Sequence, residues 1–254
     1  MSVPADPADI IAGLGRGLAV IECFDDDHAR MTPTEVARRI GISRSAARRY
    51  LVSLCHFGYA KSDGRTFWLE PRVLRLGQSY LLSARLPRLA QPFLQRLSAA
   101  SGETASLAVL DGHDVVYLAR QGGTRLANAG FQLGARLPAH VVSVGRAILS
   151  TWPDADLDAW IREHAFTSFT QFTTLDPPRF RDDIAEARQA SYALADQQLE
   201  LGWRGLAVAQ RNRYGECVGA IGVTMPVETL SAEKMVVRFL PLLRAAETDL
   251  RGLL

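Results

Sequence analysis

Met31-Thr32-Pro33-Thr34-Glu35-Val36-Ala37-Arg38-Arg39-Ile40-Gly41-Ile42-Ser43-Arg44-Ser45-Ala46-Ala47-Arg48-Arg49 is the stretch that decides the fold of the N-terminal third. Thr32 has the side chain of a helix N-cap, Pro33 suits the first helical position, and Glu35 stands three residues after Thr32, as a reciprocal capping box requires. Val36, Ala37 and Ile40 fall on one face of the helix so started. Gly41 supplies the left-handed backbone of a tight turn, and Ser43 caps a second helix that runs to about Cys55. In that helix Ala47, Leu51 and Leu54 recur at i, i+4 and i+7 and face inward. Arg44, Ser45, Arg48 and Arg49 are left on the outer face near its start.

Working outward, Asp6-Pro7 is read as the start of an earlier helix carrying Leu14, Leu18 and Ile21, which ends at Phe24-Asp25-Asp26-Asp27. On the other side Phe57-Gly58-Tyr59 stops the second helix of the pair. Tyr59-Ala60-Lys61, a Ser62-Asp63-Gly64-Arg65 turn and Thr66-Phe67-Trp68-Leu69 then read as a hairpin with a basic tip. Helix, helix, tight turn, basic helix and hairpin, in that order, make a winged helix-turn-helix. In such a module the outer face of the second helix enters the major groove of DNA. Arg44, Arg48 and Arg49 are the candidates for base and phosphate contacts, since a guanidinium can grip guanine bidentately. Thr34, Ser43 and Ser45 offer hydroxyls to phosphate, and Lys61 and Arg65 offer wing contacts.

Charge agrees with that reading. The 254-residue chain carries a net charge of only +2, but residues 30–75 hold ten Lys or Arg against three acids, a local +7, leaving −5 elsewhere. A basic block on a mildly acidic remainder is the footprint of a DNA-binding head on a second domain. No apolar stretch approaches the roughly 18–20 residues needed to span a bilayer, and residues 1–9 have no basic region leading into an apolar one, so no leader or membrane contact is expected. Cys23, Cys55 and Cys217 are unpaired in spacing, which points to the reducing cytoplasm. The five histidines and three cysteines lack metal-ligand spacing. Neither a metal nor a cofactor is therefore expected. Ser143 beside Gly145 has no Gly-x-Ser-x-Gly elbow around it, and no enzyme activity is expected.

The domain boundaries expected are 1–70 for the head, 71–86 for a linker helix and 87–254 for the second domain. The linker, Pro71 to about Arg85, presents Val73, Leu74, Leu76, Tyr80 and Leu81, an apolar face suited to the same helix of a second subunit; Pro87 is expected to break it, with a helix from Leu89 to about Ala100 following. Strands are expected at Thr104–Leu110, Val115–Arg120, Leu126–Phe131, Tyr192–Gln197, Arg204–Arg211 and Cys217–Met225. Helices are expected at Ala139–Thr151, Asp154–His164, Pro178–Ala190 and from Ser231 to about Leu250. Hairpins with intervening helices imply an α+β domain on a mainly antiparallel sheet.

Several of these segments resemble one known family, the IclR-type transcription regulators. They are Gly15-Arg16-Gly17-Leu18-Ala19-Val20, Gly41 to Arg49, Gly58 to Arg65, Leu137-Pro138-Ala139-His140 with Gly145-Arg146-Ala147, and Asp196 to Arg204. The resemblance runs from Leu14 to about Leu250 and looks closest to the branch that senses protocatechuate, 4-hydroxybenzoate or β-ketoadipate. It implies a GAF-like effector-binding domain, homodimers that often pair into tetramers, a double-stranded DNA operator, and a small organic-acid effector. Carried over position by position, the effector pocket includes Ser143, Val144, Ala195, Trp203, Gly205, Gly222 and Thr224, with Arg136 and His140 as further contacts. Exposed amides at a helix start suit a carboxylate, and apolar walls suit a small ring. The chain departs from the branch at Trp203-Arg204-Gly205, where Leu, Arg and Ser are usual. It departs again at Gly222-Val223-Thr224 and in residues 126–130. Whether the protein activates or represses is left open.

Overall fold

The Glu35 amide donates to the Thr32 hydroxyl at 3.4 Å, and the Thr32 amide donates back to the Glu35 carboxylate at 2.7 Å. That reciprocal cap starts α2 (Pro33–Ile40), and Gly41 ends it with φ at 70°. Ser43 accepts from the Ala46 amide at 3.2 Å and opens α3 (Arg44–His56). The computed structural model of the chain describes Asp6 and residues 9–122 and 133–254, and falls into two units that part between Tyr80 and Leu81.

In the first unit α1 (Ala12–Glu22) precedes α2 and α3, and the wing follows as β1 (Ala60–Ser62) paired antiparallel with β2 (Phe67–Leu69). Val20, Met31, Val36, Ala47, Leu51 and Phe67 form its core, each almost fully buried. A Leu or Val so buried stabilises by roughly 1.5–3 kcal/mol. The first helix starts later than the Asp6-Pro7 reading expected: Ile11 is its N-cap and no side chain caps it, and Pro7 lies outside the described residues.

The linker is not one continuous helix. A 3-10 turn (Pro71–Val73) leads into α4 (Leu74–Ser83), Ala84 is extended, and α5 runs Arg85–Ser101. Pro87 therefore does not break the linker. It sits in the first turn of α5, where a missing amide hydrogen costs nothing, and the break lies three residues earlier.

Among the described residues the second unit is built on a six-stranded antiparallel sheet. Its strands are β3 (Thr104–Asp111), β4 (Asp114–Gln121), β5 (Arg136–Pro138), β6 (Ala193–Asp196), β7 (Trp203–Arg211) and β8 (Cys217–Pro226), in the order β5-β4-β3-β8-β7-β6. Helices α5 and α9 (Ala232–Arg251) cover one face, where Leu94, Leu97, Phe239 and Leu243 share a core with Leu107 of β3. Helices α6 (Ser143–Leu149), α7 (Asp154–Glu163) and α8 (Pro177–Ala190) cover the other through Ile148, Leu149, Trp160, Phe180 and Ile184. The fold is α+β, as the alternation of hairpins and helices implied. Two expectations need revision. The segment from Ala139 to Thr151 is a 3-10 turn (Ala139–Val141), an extended Val142 with φ −120° and ψ 142°, and only then α6. The short edge strand β5 was not foreseen. The strand expected at Leu126–Phe131 lies outside the described residues. No helix of the described residues is long and apolar enough to cross a membrane.

Candidate functional site

Two sites stand out, one in each unit. In the first, Thr34, Ser43, Arg44, Ser45, Arg48 and Arg49 are all exposed, while Ala47 and Leu51 on the opposite face of α3 are fully buried. The arginines are thus presented outward by the packing of α3 rather than by chance. The Ser43 hydroxyl is occupied by its capping bond and a contact with the Ser45 hydroxyl at 3.1 Å. At the wing tip Asp63 accepts from the amides of Arg65 at 2.9 Å and Thr66 at 2.7 Å and from the Thr66 hydroxyl. These bonds, the Thr66 amide first, hold the Asp63 carboxyl down to about 2. A carboxylate that stays ionised fixes the turn and so the position of exposed Arg65. Lys61 differs from Arg65: its ammonium is paired with Glu70 at 2.8 Å. Sequence reading passed over Arg30, whose guanidinium lies 4.0 Å over the Trp68 ring of the wing. Its signal was an arginine preceding an apolar Met31 that bridges to Phe67.

The second site is a cavity at the start of α6. The register stacks Thr104, Thr224, Gly205 and Ala195 in one row across β3, β8, β7 and β6. Ser143, the first residue of α6, sits over Gly205 so closely that a Cβ there would lie 2.6 Å from Ser143 Oγ and 3.7 Å from Thr224 Oγ1. The absent side chain is what lets α6 approach the sheet. Gly145 does the same against the preceding turn, where a Cβ would stand 2.3 Å from the Ala139 carbonyl oxygen. No side chain caps α6, so its first amides have no acceptor from a cap, and Val142 and Ser143 at that end line the cavity.

Ser143, Ala195, Trp203, Gly205 and Thr224, five of the residues the resemblance assigned to an effector pocket, line this cavity together. Val144 and Gly222 do not line it; they meet each other behind it, with 3.1 Å between a Cβ on Gly222 and Val144 Cγ1. Arg136 is on the edge strand β5, half-exposed and ion-paired with Asp111 at 2.6 Å and Asp114 at 3.3 Å, and is not part of the cavity wall. His140 is fully buried and belongs to a different arrangement. Its Nε2 lies 3.3 Å from the Thr167 carbonyl oxygen, which can only accept, so that nitrogen carries the proton. His140 Nδ1 then accepts from His164 Nε2 at 2.8 Å, and His164 Nδ1 accepts from His113 Nδ1 at 3.2 Å. Burial, above all, pushes both His140 and His164 down to about 4. That burial keeps His140 and His164 neutral at pH 7.

Sequence reading missed Tyr117, Val142, Gln198 and Leu199 as cavity residues. Tyr117 is buried, and its hydroxyl is pushed well above the usual range by burial, with the charge of Arg120 pulling it back. A bulge between Leu107 and Ala108 shifts the register opposite Tyr117, so simple alternation along β4 could not place it. Gln198 is held by the Arg146 guanidinium at 3.2 Å and by the Thr174 amide at 2.8 Å. Arg146 is buried and ion-paired with Asp183 at 3.1 Å. The space enclosed is about 40 Å³, room for a few waters and less than the ~150 Å³ that holds a benzene ring. A ring-sized occupant therefore displaces part of the wall.

Comparison with known proteins covers both units. Residues 13–64 match the model of the IclR helix-turn-helix domain, and residues 78–251 that of the bacterial transcriptional regulator IclR C-terminal domain. The chain is 40% identical to the p-hydroxybenzoate hydroxylase transcriptional activator of Acinetobacter baylyi, over 96% of this chain and 92% of that one. Among solved structures it is similar to the inducer-binding domain of a double mutant of the PobR transcription factor from Acinetobacter, in complex with 3-hydroxybenzoic acid. There the identity is 34% and the TM-score 0.64, over 67% of this chain and all of that one. It is also similar to an IclR homolog from Microbacterium hydrocarbonoxydans in complex with 4-hydroxybenzoate, at 26% identity and a TM-score of 0.75, over 95% of this chain and all of that one.

Proposed function

The chain belongs to the IclR family of bacterial transcription regulators, and from that premise we propose that it controls genes of aromatic-compound catabolism in response to a monocyclic hydroxybenzoate. The observation that carries the reading is the cavity in which Ser143, Thr224 and Trp203 converge at the uncapped start of α6. Amides and the Ser143 and Thr224 hydroxyls can hold a carboxylate, Tyr117 offers a ring hydroxyl a partner, and Leu199 and Trp203 close over the ring. Relatives whose names or bound ligands include 3- and 4-hydroxybenzoate support the same class.

In this reading the exposed Arg44, Arg48 and Arg49 of α3 meet base edges and phosphates, Ser45 and Thr34 meet phosphates, and Arg65 leads the wing contacts. Lys61 contributes less because Glu70 already neutralises it. The protein works as a homodimer, two α3 helices reading half-sites about one helical turn apart. Helix α4, which buries none of its residues and exposes Leu74, Leu76, Tyr80 and Leu82, supports that pairing. The test is a thermal-shift screen of the full chain against 3- and 4-hydroxybenzoate, protocatechuate and adipate. A saturable rise for a hydroxybenzoate, about 2.7 kcal/mol of stabilisation at a hundredfold excess over Kd, is expected. No rise with any aromatic acid refutes the assignment.

A further inference from the structure

A second cavity opens at the other end of α6 and β7. Its volume is about 360 Å³, several times that of the Ser143 cavity and inside the roughly 300–1,000 Å³ range of small-molecule sites. No described residue lines both. Strand β6 pairs with β7 only as far as Ala207, so the cavity lies beside the part of β7, Val208 to Arg211, that this neighbour leaves uncovered.

Four arginines line it, Arg188, Arg211, Arg244 and Arg251, against one carboxylate, Glu247. Two of the four are neutralised. Arg251 grips Glu247 with Nη2 at 2.7 and 2.8 Å from its two carboxylate oxygens. Arg188 pairs with Asp154 at 2.6 Å. The other two meet only carbonyls: Arg211 Nη1 donates to Gly215 O at 2.6 Å, and Arg244 Nη2 donates to Ala190 O at 3.1 Å. Among the described residues no carboxylate lies within ion-pair distance of either guanidinium. Each guanidinium has five N–H donors in a planar fork, so most of that capacity is unspent. Two uncompensated charges on different elements, β7 and α9, focus positive potential into one concave, partly apolar space.

We infer that this cavity binds a small organic anion bearing at least two carboxylates, one for each uncompensated guanidinium. A carboxylate matches the fork bidentately, and the two forks on separate elements ask for two such groups on one molecule. The hydroxyl of Thr248, also in the lining, suits a remaining oxygen, whereas those of Ser150 and Thr151 already donate to the Ala147 and Ile148 carbonyls. The site is independent of the hydroxybenzoate reading of the Ser143 cavity.

Calorimetric titration of citrate into the full chain tests it. Saturable binding is expected, weakened at least tenfold in Arg211→Gln/Arg244→Gln. Glu247→Gln, which removes the negative charge yet keeps an oxygen to accept from the Arg211 amide, is expected to tighten it. Ser143→Ala is expected to leave citrate affinity unchanged, which separates this site from the other cavity. Arg244→Gln alone, at an exposed position holding one carbonyl, carries the test if the double variant does not fold. No heat with citrate up to about 10 mM, equal affinity in the arginine variants, loss in Ser143→Ala, or inorganic phosphate binding as tightly as citrate would each overturn the assignment.

Discussion

A Cβ on Gly205 would meet Ser143 Oγ at 2.6 Å and Ser143 Cβ at 3.4 Å, so one methyl group at this position forces the Ser143 hydroxyl to move. Gly205→Ala is expected to push the Ser143 hydroxyl out of place, cost about 1–3 kcal/mol as overpacking does, and weaken effector binding. Thermal melts and ligand titration read the two effects, and Ser143→Ala in the same chain is expected to recover part of the stability. Arg48 lies at the opposite extreme, exposed and outside the core. Its replacement by Ala is expected to leave the melting temperature unchanged and weaken operator binding by about 1–3 kcal/mol, the usual value of a bidentate base contact. Gel shifts on an operator selected from random-sequence duplexes would show it; unchanged affinity removes Arg48 from the reading face.

At the scale of elements, the head was legible in the sequence because its signals are local. Thr32, Pro33 and Glu35 mark the start of α2, Gly41 its end, and Ser43 the start of α3, each through bonds spanning three or four residues. Thr32→Ala is accordingly expected to cost about 0.5–2 kcal/mol, measured by denaturant melts. Helix α6 was not legible in the same way. Ser143 to Leu149 is buried on every side, so no polar face marks its period and its start at Ser143 was hidden inside a longer apolar run. The histidine chain was hidden for a different reason: residues 113, 140 and 164 meet only after the second unit folds.

That chain has a pH consequence. His140 and His164 titrate near 4 when folded, chiefly through burial, with Arg146 acting on His140, and His140 and His113 acting on His164. Unfolded, they titrate near 6.5. Between those values the unfolded chain binds more protons, so stability is fully present above about pH 6.5 and declines as pH falls toward 4. The melting temperature of the wild type is expected to drop across that window, and His164→Gln to flatten the slope; parallel curves would mean that other groups carry it.

At the scale of the whole molecule, residues 1–29 carry −5, residues 30–75 carry +7 and residues 76–254 carry no net charge, and the basic block, the caps and the motifs of the head are legible in the sequence. Less readable was the inside of the sensor. The cavity residues come from β4, β6, β7, β8, the turn from Val141 to Val142 with the start of α6, and the segment from Gln198 to Glu200, far apart in sequence and brought together only by the fold. The family resemblance named Ser143, Trp203, Gly205 and Thr224, which line one cavity, and also Arg136 and His140, which lie outside that lining. The most direct measurement is calorimetric titration of 4-hydroxybenzoate into the full-length wild type and into Ser143→Ala/Thr224→Val. The expected result is one saturable site per chain in the wild type and at least tenfold weaker binding in the double variant with its fold intact. Binding of equal strength in both, or no saturable binding in the wild type, would contradict an aromatic-acid sensor built on the start of α6.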